Sequence, residues 1–203
     1  MKKFPAIAVV EFKDIPVGMH ATDAMLKKAP IAFIKCGTIS RGRYLTLIGG
    51  TTASVEESLN EGLFWGGSSV LDHILLADVH PQVYEAILGR RKIGGIGTLA
   101  VIETDTVSSN VRAAELALKG TPVELVEIRL ADTGLSGKGV SIYQGELHDI
   151  EAAVEIVVGF MQQRGGDVRY KIISAPHEAL VEQVETSTYF GSAKLQELDG
   201  EVG

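Results

Sequence analysis

The sequence lacks several features that particular classes of protein require. Cys36 is its one cysteine, so an intramolecular disulfide is excluded and the chain suits a reducing compartment such as the cytoplasm. No apolar run reaches the roughly 18 residues of a membrane-spanning helix, so no membrane partner is expected. The 19 basic residues are outnumbered by 26 acidic ones, and a formal net charge of −7 argues against binding to nucleic acid.

The first residues have the beginnings of a secretion signal, with two lysines before a short apolar run. Glu11 and Lys13 interrupt that run too early for a signal peptide. The same run also recurs in the second half of the chain, where its short, β-rich pattern is typical of a strand. We therefore expect residues 7–12 to form a β-strand.

The chain contains the same pattern twice. Residues 8–35 are echoed 92 positions later by residues 100–127. The identical residues are Ala8, Val9, Glu11, Ala21, Leu26, Lys27 and Pro30, which match Ala100, Val101, Glu103, Ala113, Leu118, Lys119 and Pro122. A period of about 95 residues is too long for a solenoid repeat and suits one small domain. The sequence therefore predicts two related domains, residues 1–92 and 93–203.

Each repeat is predicted to fold as β-α-β-β-α-β. Short runs of β-branched residues indicate strands, apolar residues at helical spacing indicate helices, and Pro30 and Pro122 are expected to stop the first helix of each repeat. Strands are predicted at residues 7–12, 31–37, 44–50 and 68–77, and in the second repeat at its AVIET run, 123–130, 140–145 and 168–175. Short helices are predicted at 81–88 and 176–184, and residues 186–203 show no period.

This order is the ferredoxin-like split arrangement, an α/β (α+β) fold in which two helices cover one face of a four-stranded sheet. The other face and the sheet edges remain available for association. Three chains closed around one axis can look six-fold, because each contributes two related domains. We therefore expect pseudo-symmetry to govern the assembly of this protein.

Both repeats resemble the bacterial microcompartment shell domain. The first carries AVVE…DAMLKKAPI and LIGG…SVEESLNEG, and the second carries AVIET…AELALKGTPV…GKG…YQGELHDIEAAVEI…APHEALVE. The resemblance spans about residues 6–185 with unpermuted strand order, as in the tandem-domain trimers of that family, which include shell proteins of propanediol-utilization compartments. It implies a flat homotrimer, a pseudohexamer, that tiles with other shell proteins into the wall of an organelle in the cytoplasm, without catalysing a reaction.

The resemblance also implies a central pore that passes small metabolites or cofactors, lined by the loop between the second and third strands of each repeat. Glycine lets backbone approach the axis closely, and small polar groups set the aperture. The implied pore-lining residues are Gly37, Thr38, Ile39, Ser40, Arg41 and Gly42, and in the second repeat Asp132, Thr133, Gly134, Leu135, Ser136 and Gly137. Arg41 would favour anions and Asp132 would offset it, so the sign of the pore charge stays open.

A further implication of the resemblance is an edge at which neighbouring tiles meet. Lys27 and Lys119 match the edge lysine of the family, which lies four residues after an acidic residue. The Pro-Arg-Pro-His edge motif survives only in part, around His80 and His177. That departure is expected to weaken or redirect the contacts between tiles.

Cys36 raises the question of a cofactor. In similar trimers a pore-loop cysteine from each chain holds an iron–sulfur cluster on the three-fold axis. Here Ser40 matches that position, and Cys36 lies four residues earlier at the end of an apolar strand, so a buried, inert thiol is expected. The five histidines show no metal-ligand spacing. We therefore expect no cofactor or metal.

Two alternatives to a shell tile without a cofactor remain. The first is an electron-relay tile with a cluster on Cys36. The second is a trimer of ferredoxin-like domains that binds a small effector, although the loops hold mostly glycine, serine and threonine. Glu11 and Glu103 occupy equivalent places in the two repeats, and catalytic pairs are seldom duplicated in this way. Structural hydrogen bonds are therefore expected at both, and no catalytic residue is assigned.

Overall fold

The computed structural model describes residues 6–92, 94–95, 97–196 and 198. Three parts of the sequence lie wholly or partly outside these ranges. They are the lysines before the first strand, the segment between the two repeats at Ile93 and Ile96, and the C-terminal segment at residues 197 and 199–203. Within the described ranges, no helix is both long enough and apolar enough to cross a membrane.

Each half contains the predicted four strands and two long helices, followed by a shorter helix. The first half comprises β1 (Ala6–Phe12), α1 (Ile15–Lys28), β2 (Phe33–Ile39), β3 (Arg43–Gly50), α2 (Thr52–Gly66), β4 (Val70–Leu76) and α3 (Pro81–Ile87). The second comprises β5 (Thr98–Thr104), α4 (Val107–Gly120), β6 (Glu124–Leu130), β7 (Gly139–Gly145), α5 (Leu147–Arg164), β8 (Val168–Ile173) and α6 (Glu178–Thr186). The predicted α/β fold class is confirmed.

The strands form two antiparallel sheets of equivalent topology. The first sheet has the order β2-β3-β1-β4, and the second sheet has the order β6-β7-β5-β8. In both, the first strand of the repeat is central, and the second strand is an edge. This is the ferredoxin-like arrangement that the element order predicted.

The first helix of each repeat begins and ends at equivalent places. Asp14 caps α1 and Thr106 caps α4, each with its side chain accepting a hydrogen bond from the backbone of the first turn. Both helices end two residues before a proline, at Pro30 and Pro122, because the residue that directly precedes proline avoids the helical region. The predicted stops are therefore confirmed.

The two faces of the first sheet are covered by different parts of the chain. On one face, Val10 and Ile48 pack with residues of α1 and α2. On the other face, Val9 lies in a single core with Val111 and Leu118 of α4, a helix of the second domain. The outer face of the first sheet thus carries a contact between the domains, and the side chains on it alternate with those that face α1 and α2.

Candidate pore loops and association surfaces

The two loops predicted to line a pore touch each other. Ser40 donates to the carbonyl oxygen of Ala131 from both its backbone nitrogen (3.0 Å) and its hydroxyl (2.8 Å). The same hydroxyl accepts a hydrogen bond from the backbone nitrogen of Gly137 at 2.8 Å. Ser40 therefore ties the β2–β3 turn to the β6–β7 loop, and this contact was not foreseen from the sequence.

The first predicted loop is shorter than expected. Gly37, Thr38 and Ile39 belong to β2, since they pair in register with β3, and the turn itself is a 3-10 helix at Ser40–Gly42. Arg41 has a φ of 70° there, a left-handed conformation that makes the turn tight. Of the twelve predicted residues, Thr38, Arg41, Gly42, Asp132, Thr133, Gly134 and Ser136 are exposed, Gly37, Ile39, Ser40 and Leu135 are partly exposed, and Gly137 is buried.

The charges on these loops are not balanced. The Asp132 carboxylate pairs with the Arg129 guanidinium, with 3.0 Å between Nε and Oδ2. Arg41 is exposed and makes no ion pair with any described residue. The uncompensated charge at the loop tips is therefore positive.

Cys36 is exposed, so the expectation of a buried thiol is wrong. It lies on β2, which is an edge strand and pairs only with β3, so that its side chains are incompletely covered. Cys36 lines a groove of about 850 Å³ between the edges of the two sheets. It also contacts the Tyr44 hydroxyl, and burial, assisted by this contact, raises the pKa of Tyr44 to about 12. Among the residues described here, no group of three or more His, Cys, Asp or Glu side chains could hold a metal ion.

The N-terminus of α4 is buried against acidic groups of the first sheet. The backbone nitrogen of Ser108 donates to Glu11 Oε1 at 2.7 Å. The hydroxyls of Thr106 and Ser109 both donate to Asp72 Oδ2, at 2.5 and 2.7 Å. Free backbone donors and the positive end of the helix dipole both favour carboxylates at this place.

Glu11 is fully buried in this contact. Burial raises its pKa to about 7, the nearby Asp72 carboxylate adds to the rise, and the hydrogen bond from Ser108 and the Arg43 guanidinium oppose it. Its counterpart Glu103 is more exposed and pairs with Lys138 at 2.7 Å. Both carboxylates make the structural contacts expected of them.

The C-terminal end of α4 brings two of the four predicted edge residues together. The Glu115 carboxylate accepts a hydrogen bond from the backbone nitrogen of His80 at 2.9 Å and pairs with Lys119 Nζ at 2.6 Å. Lys119 also donates to the carbonyl oxygen of Asp78 at 2.7 Å. His80 and Lys119 are therefore neighbours within one chain.

The other two predicted edge residues are not brought together within the chain. Lys27 is exposed and pairs with Asp23 on its own helix. The exposed His177 caps α6 by accepting a hydrogen bond from the backbone nitrogen of Ala179 at 3.2 Å. No contact between Lys27 and His177 is found in the described part of the chain.

The equivalent faces of α1 and α4 differ sharply in exposure. On α4, Val111 is 0% and Leu118 is 6% exposed, because the first sheet covers them. The residues 92 positions earlier, Met19 and Leu26 of α1, are 57% and 46% exposed. The chain thus carries on α1 an uncovered copy of the helix face that joins its two domains. The repeat in the sequence pointed to this equivalence but did not reveal which copy was covered.

Comparison with known proteins agrees with this architecture. The family model of the BMC domain matches twice, at residues 6–79 and 98–176. The chain is 30% identical over 179 residues to the bacterial microcompartment shell protein PduT of Citrobacter freundii, covering 88% of this chain and 97% of that protein.

Solved structures give the same result. A microcompartment protein from Desulfitobacterium hafniense DCB is 36% identical with a TM-score of 0.77, covering 87% of this chain and 98% of that one. A fused permuted hexameric shell protein from the RMM microcompartment shares the fold, with 20% identity, a TM-score of 0.59, and coverage of 79% and 86% of the two chains. The resemblance noted in the sequence is confirmed: this chain belongs to the BMC-domain family and is a tandem-domain shell protein of a bacterial microcompartment.

Proposed function

We propose that three copies of this chain close into a flat ring of six domains, a homotrimeric tile with a central pore that joins other shell proteins. The observation that carries this proposal is the uncovered face of α1, with Met19 and Leu26 exposed where Val111 and Leu118 of α4 are buried. An exposed apolar face on α1, whose equivalent on α4 is buried, indicates a site of association.

The contact inside the chain serves as the template for the contact between chains. Within one chain, α4 of the second domain covers the outer face of the first sheet. If α1 covers the outer face of the second sheet on another copy in the same way, the contact is head-to-tail and repeats. Each domain then bears the same relation to the next, and three chains supply the six equal steps of a closed ring.

In this ring the β2–β3 and β6–β7 loops of all three chains line the pore. The hydrogen bonds that tie Ser40 to Ala131 and Gly137 support a common position for the two loops. Because Asp132 is paired with Arg129 and Arg41 is not paired, the pore charge favours small anionic metabolites. The tile acts by selecting solutes and catalyses no reaction.

We set the domain boundary between residues 92 and 93.

The pore works without a cluster. Cys36 lies on β2 four residues before Ser40, a distance of about 13 Å along an extended strand. The thiol therefore lies back from the loop tips that would surround the axis. This separation favours passage of solutes over an electron relay, and the loops also lack the charged clamp of an effector-binding site.

The tile edge is formed by Lys27, Lys119, His80 and His177. Lys119 and His80 are linked through Glu115 inside one chain. By the equivalence of the two domains, Lys27 and Asp23 of one copy meet His177 of the next copy in the same way. The rim then presents similar lysine–histidine groups around all six domains.

The experiment that tests this function measures mass and lattice formation. Wild-type protein is expected to sediment as a trimer of about 65 kDa, three times the 21.7 kDa of one chain, and to form sheets visible by electron microscopy. Replacing Lys27 and Lys119 together with alanine is expected to leave the trimer intact and abolish the sheets. The lysine stems would no longer span the boundary between tiles.

Lys194→Ala, at an exposed lysine of the C-terminal segment, is the control and is expected to leave both trimers and sheets unchanged. A wild-type protein that remains monomeric at all workable concentrations would contradict the ring. Trimers whose sheets survive the double alanine change would contradict the edge assignment alone.

A further inference from the structure

We propose that the two kinds of contact in the ring carry opposite charge patterns, with Asp14 of one copy pairing with Arg169 of the next, so that α1 docks only on the second sheet. This inference rests on the proposed ring and names what makes its assembly specific. It concerns the end of each contact where the N-terminus of a first helix meets the outer face of a sheet.

The contact inside the chain defines the first pattern. Glu11 and Asp72 are direct cross-strand neighbours on β1 and β4. Arg43 lies 3.6 Å from Glu11 and the Arg164 guanidinium pairs with Asp72 at 2.5 Å, so each carboxyl group at this end of the first sheet has a basic partner. The first turn of α4 supplies donors to it from Thr106, Ser108 and Ser109, all buried and uncharged. In this contact, carboxyl groups on the sheet thus accept hydrogen bonds from uncharged donors on the helix.

The second sheet carries a base at the position where the first sheet carries the acid Asp72. Glu103 of β5 has Arg169 of β8 as its cross-strand neighbour, in the register that pairs Glu11 with Asp72. Lys138 pairs with Glu103, so the triad has one net positive charge. Arg169 is exposed and has no hydrogen bond or ion pair with any residue the structure describes. It lines an open hollow of about 350 Å³ together with Glu103 and Lys138, and Asp105 and Asp167 also line that hollow.

The N-terminus of α1 differs from that of α4 in a way that is complementary to Arg169. Asp14 stands where α4 has Thr106, and it keeps the capping role, with its Oδ1 accepting from the backbone nitrogen of Val17 at 3.1 Å. Pro16 stands where α4 has Ser108, and proline has no backbone N–H to donate. Glu103 therefore could not receive from α1 the hydrogen bond that Glu11 receives from Ser108. Its pairing with Lys138 replaces that hydrogen bond.

These changes make the wrong pairings unfavourable. If α1 docked on the first sheet of another copy, Asp14 would face Asp72 and Glu11, and like charges brought together at an interface are strongly repulsive. If α4 docked on the second sheet, the free backbone N–H of Ser108 and the positive end of the helix dipole would face Arg169, which is positively charged and only a donor. Attraction in the right contact and repulsion in the wrong ones together produce specificity. The ring then alternates first and second domains. The presence of Asp14 and Arg169 in place of Thr106 and Asp72 excludes other arrangements of the two domains.

A double-mutant series tests the pairing. Arg169→Asp is expected to raise the concentration at which half of the chains are trimeric by about 10-fold or more, because its carboxylate would face Asp14. Adding Asp14→Thr to Arg169→Asp is expected to return that concentration towards the wild-type value. The introduced hydroxyl can donate to the introduced carboxylate, as Thr106 does to Asp72, and threonine still caps the helix. Sedimentation velocity over a dilution series provides the measurement.

Lys194→Asp changes the net charge of an exposed site by the same amount and is expected to leave the trimer unchanged. A wild-type monomer would overturn the ring itself. A wild-type trimer that Arg169→Asp weakens by less than twofold, or that the double variant fails to restore, would overturn the Asp14–Arg169 pairing and leave the ring standing.

Arg169→Gln gives a second measurement that needs no charge reversal. The wild-type trimer is expected to weaken as sodium chloride rises, since salt screens the ion pair, and the variant is expected to respond less. Equal salt responses of the two proteins would count against the pairing.

Discussion

Replacing Met19 and Leu26 together with aspartate is expected to yield a folded chain that no longer forms trimers. Within a single chain these side chains are 57% and 46% exposed, so the fold does not depend on them. In the proposed ring they are covered by the second sheet of the next copy, and burying one such side chain contributes roughly 1.5–3 kcal/mol. Because about half of each side chain is left to be buried, losing both costs about 1.5–3 kcal/mol per contact, or roughly 10- to 100-fold in affinity, and the two introduced carboxylates add a desolvation penalty. Sedimentation velocity measures the mass, and circular dichroism confirms folding.

The twin positions on α4 provide the contrasting control. Val111 and Leu118 are buried inside the chain, so aspartate at these positions is expected to destabilise the monomer itself. Leu195, which is 94% exposed in the C-terminal segment, is the neutral control for an added carboxylate. A protein that stays fully trimeric after the change at Met19 and Leu26 would show that α1 is not the contact between copies.

Glu11→Gln is expected to remove a pH dependence of the free energy of unfolding. The pKa of Glu11 rises from an ordinary 4.5 to about 7 in the folded protein, chiefly because its carboxyl group is buried. The folded state therefore binds the proton more tightly than the unfolded state. The stability this contributes is fully present below pH 4.5 and is lost as the pH rises through about 7. The loss amounts to about 3 kcal/mol.

Urea unfolding between pH 4 and 8 measures this effect, with the same chain concentration for wild type and variant so that assembly contributes equally. Compared with wild type, Glu11→Gln is expected to gain stability as the pH rises, by up to about 3 kcal/mol at pH 8. Glu103→Gln, at the more exposed counterpart, is the matched control for the loss of one carboxylate. Parallel pH curves for wild type and Glu11→Gln would contradict the raised pKa.

The sequence predicted the fold of each domain well because the signals that specify it are local. Strand-forming runs and apolar residues at helical spacing reflect backbone geometry over a few residues. Pro30 and Pro122 end the two first helices because proline restricts the residue before it. The pore loop that the resemblance implied begins too early, at Gly37, because the pairing of β2 with β3 in fact continues through Ile39.

The candidate site was predicted only in outline, because its contacts join residues far apart in the chain. Ser40 was expected at a pore tip, and its hydrogen bonds to Ala131 and Gly137 come from a loop about 90 residues away. Cys36 was expected to be buried because it follows an apolar run, and its exposure depends on β2 being an edge strand. Local periodicity in the sequence indicates neither the hydrogen bonds of Ser40 nor the exposure of Cys36.

By itself, the sequence determined that this protein has two copies of one βαββαβ fold, because repetition and periodicity are properties of the chain alone. Only the tertiary structure decided which copy of a shared surface is covered. Met19 and Val111 occupy equivalent helical positions, yet one is exposed and the other is buried. Burial depends on which sheet lies opposite, and for α4 that sheet belongs to the other domain. The side chains left uncovered by that choice are those through which we expect the protein to assemble.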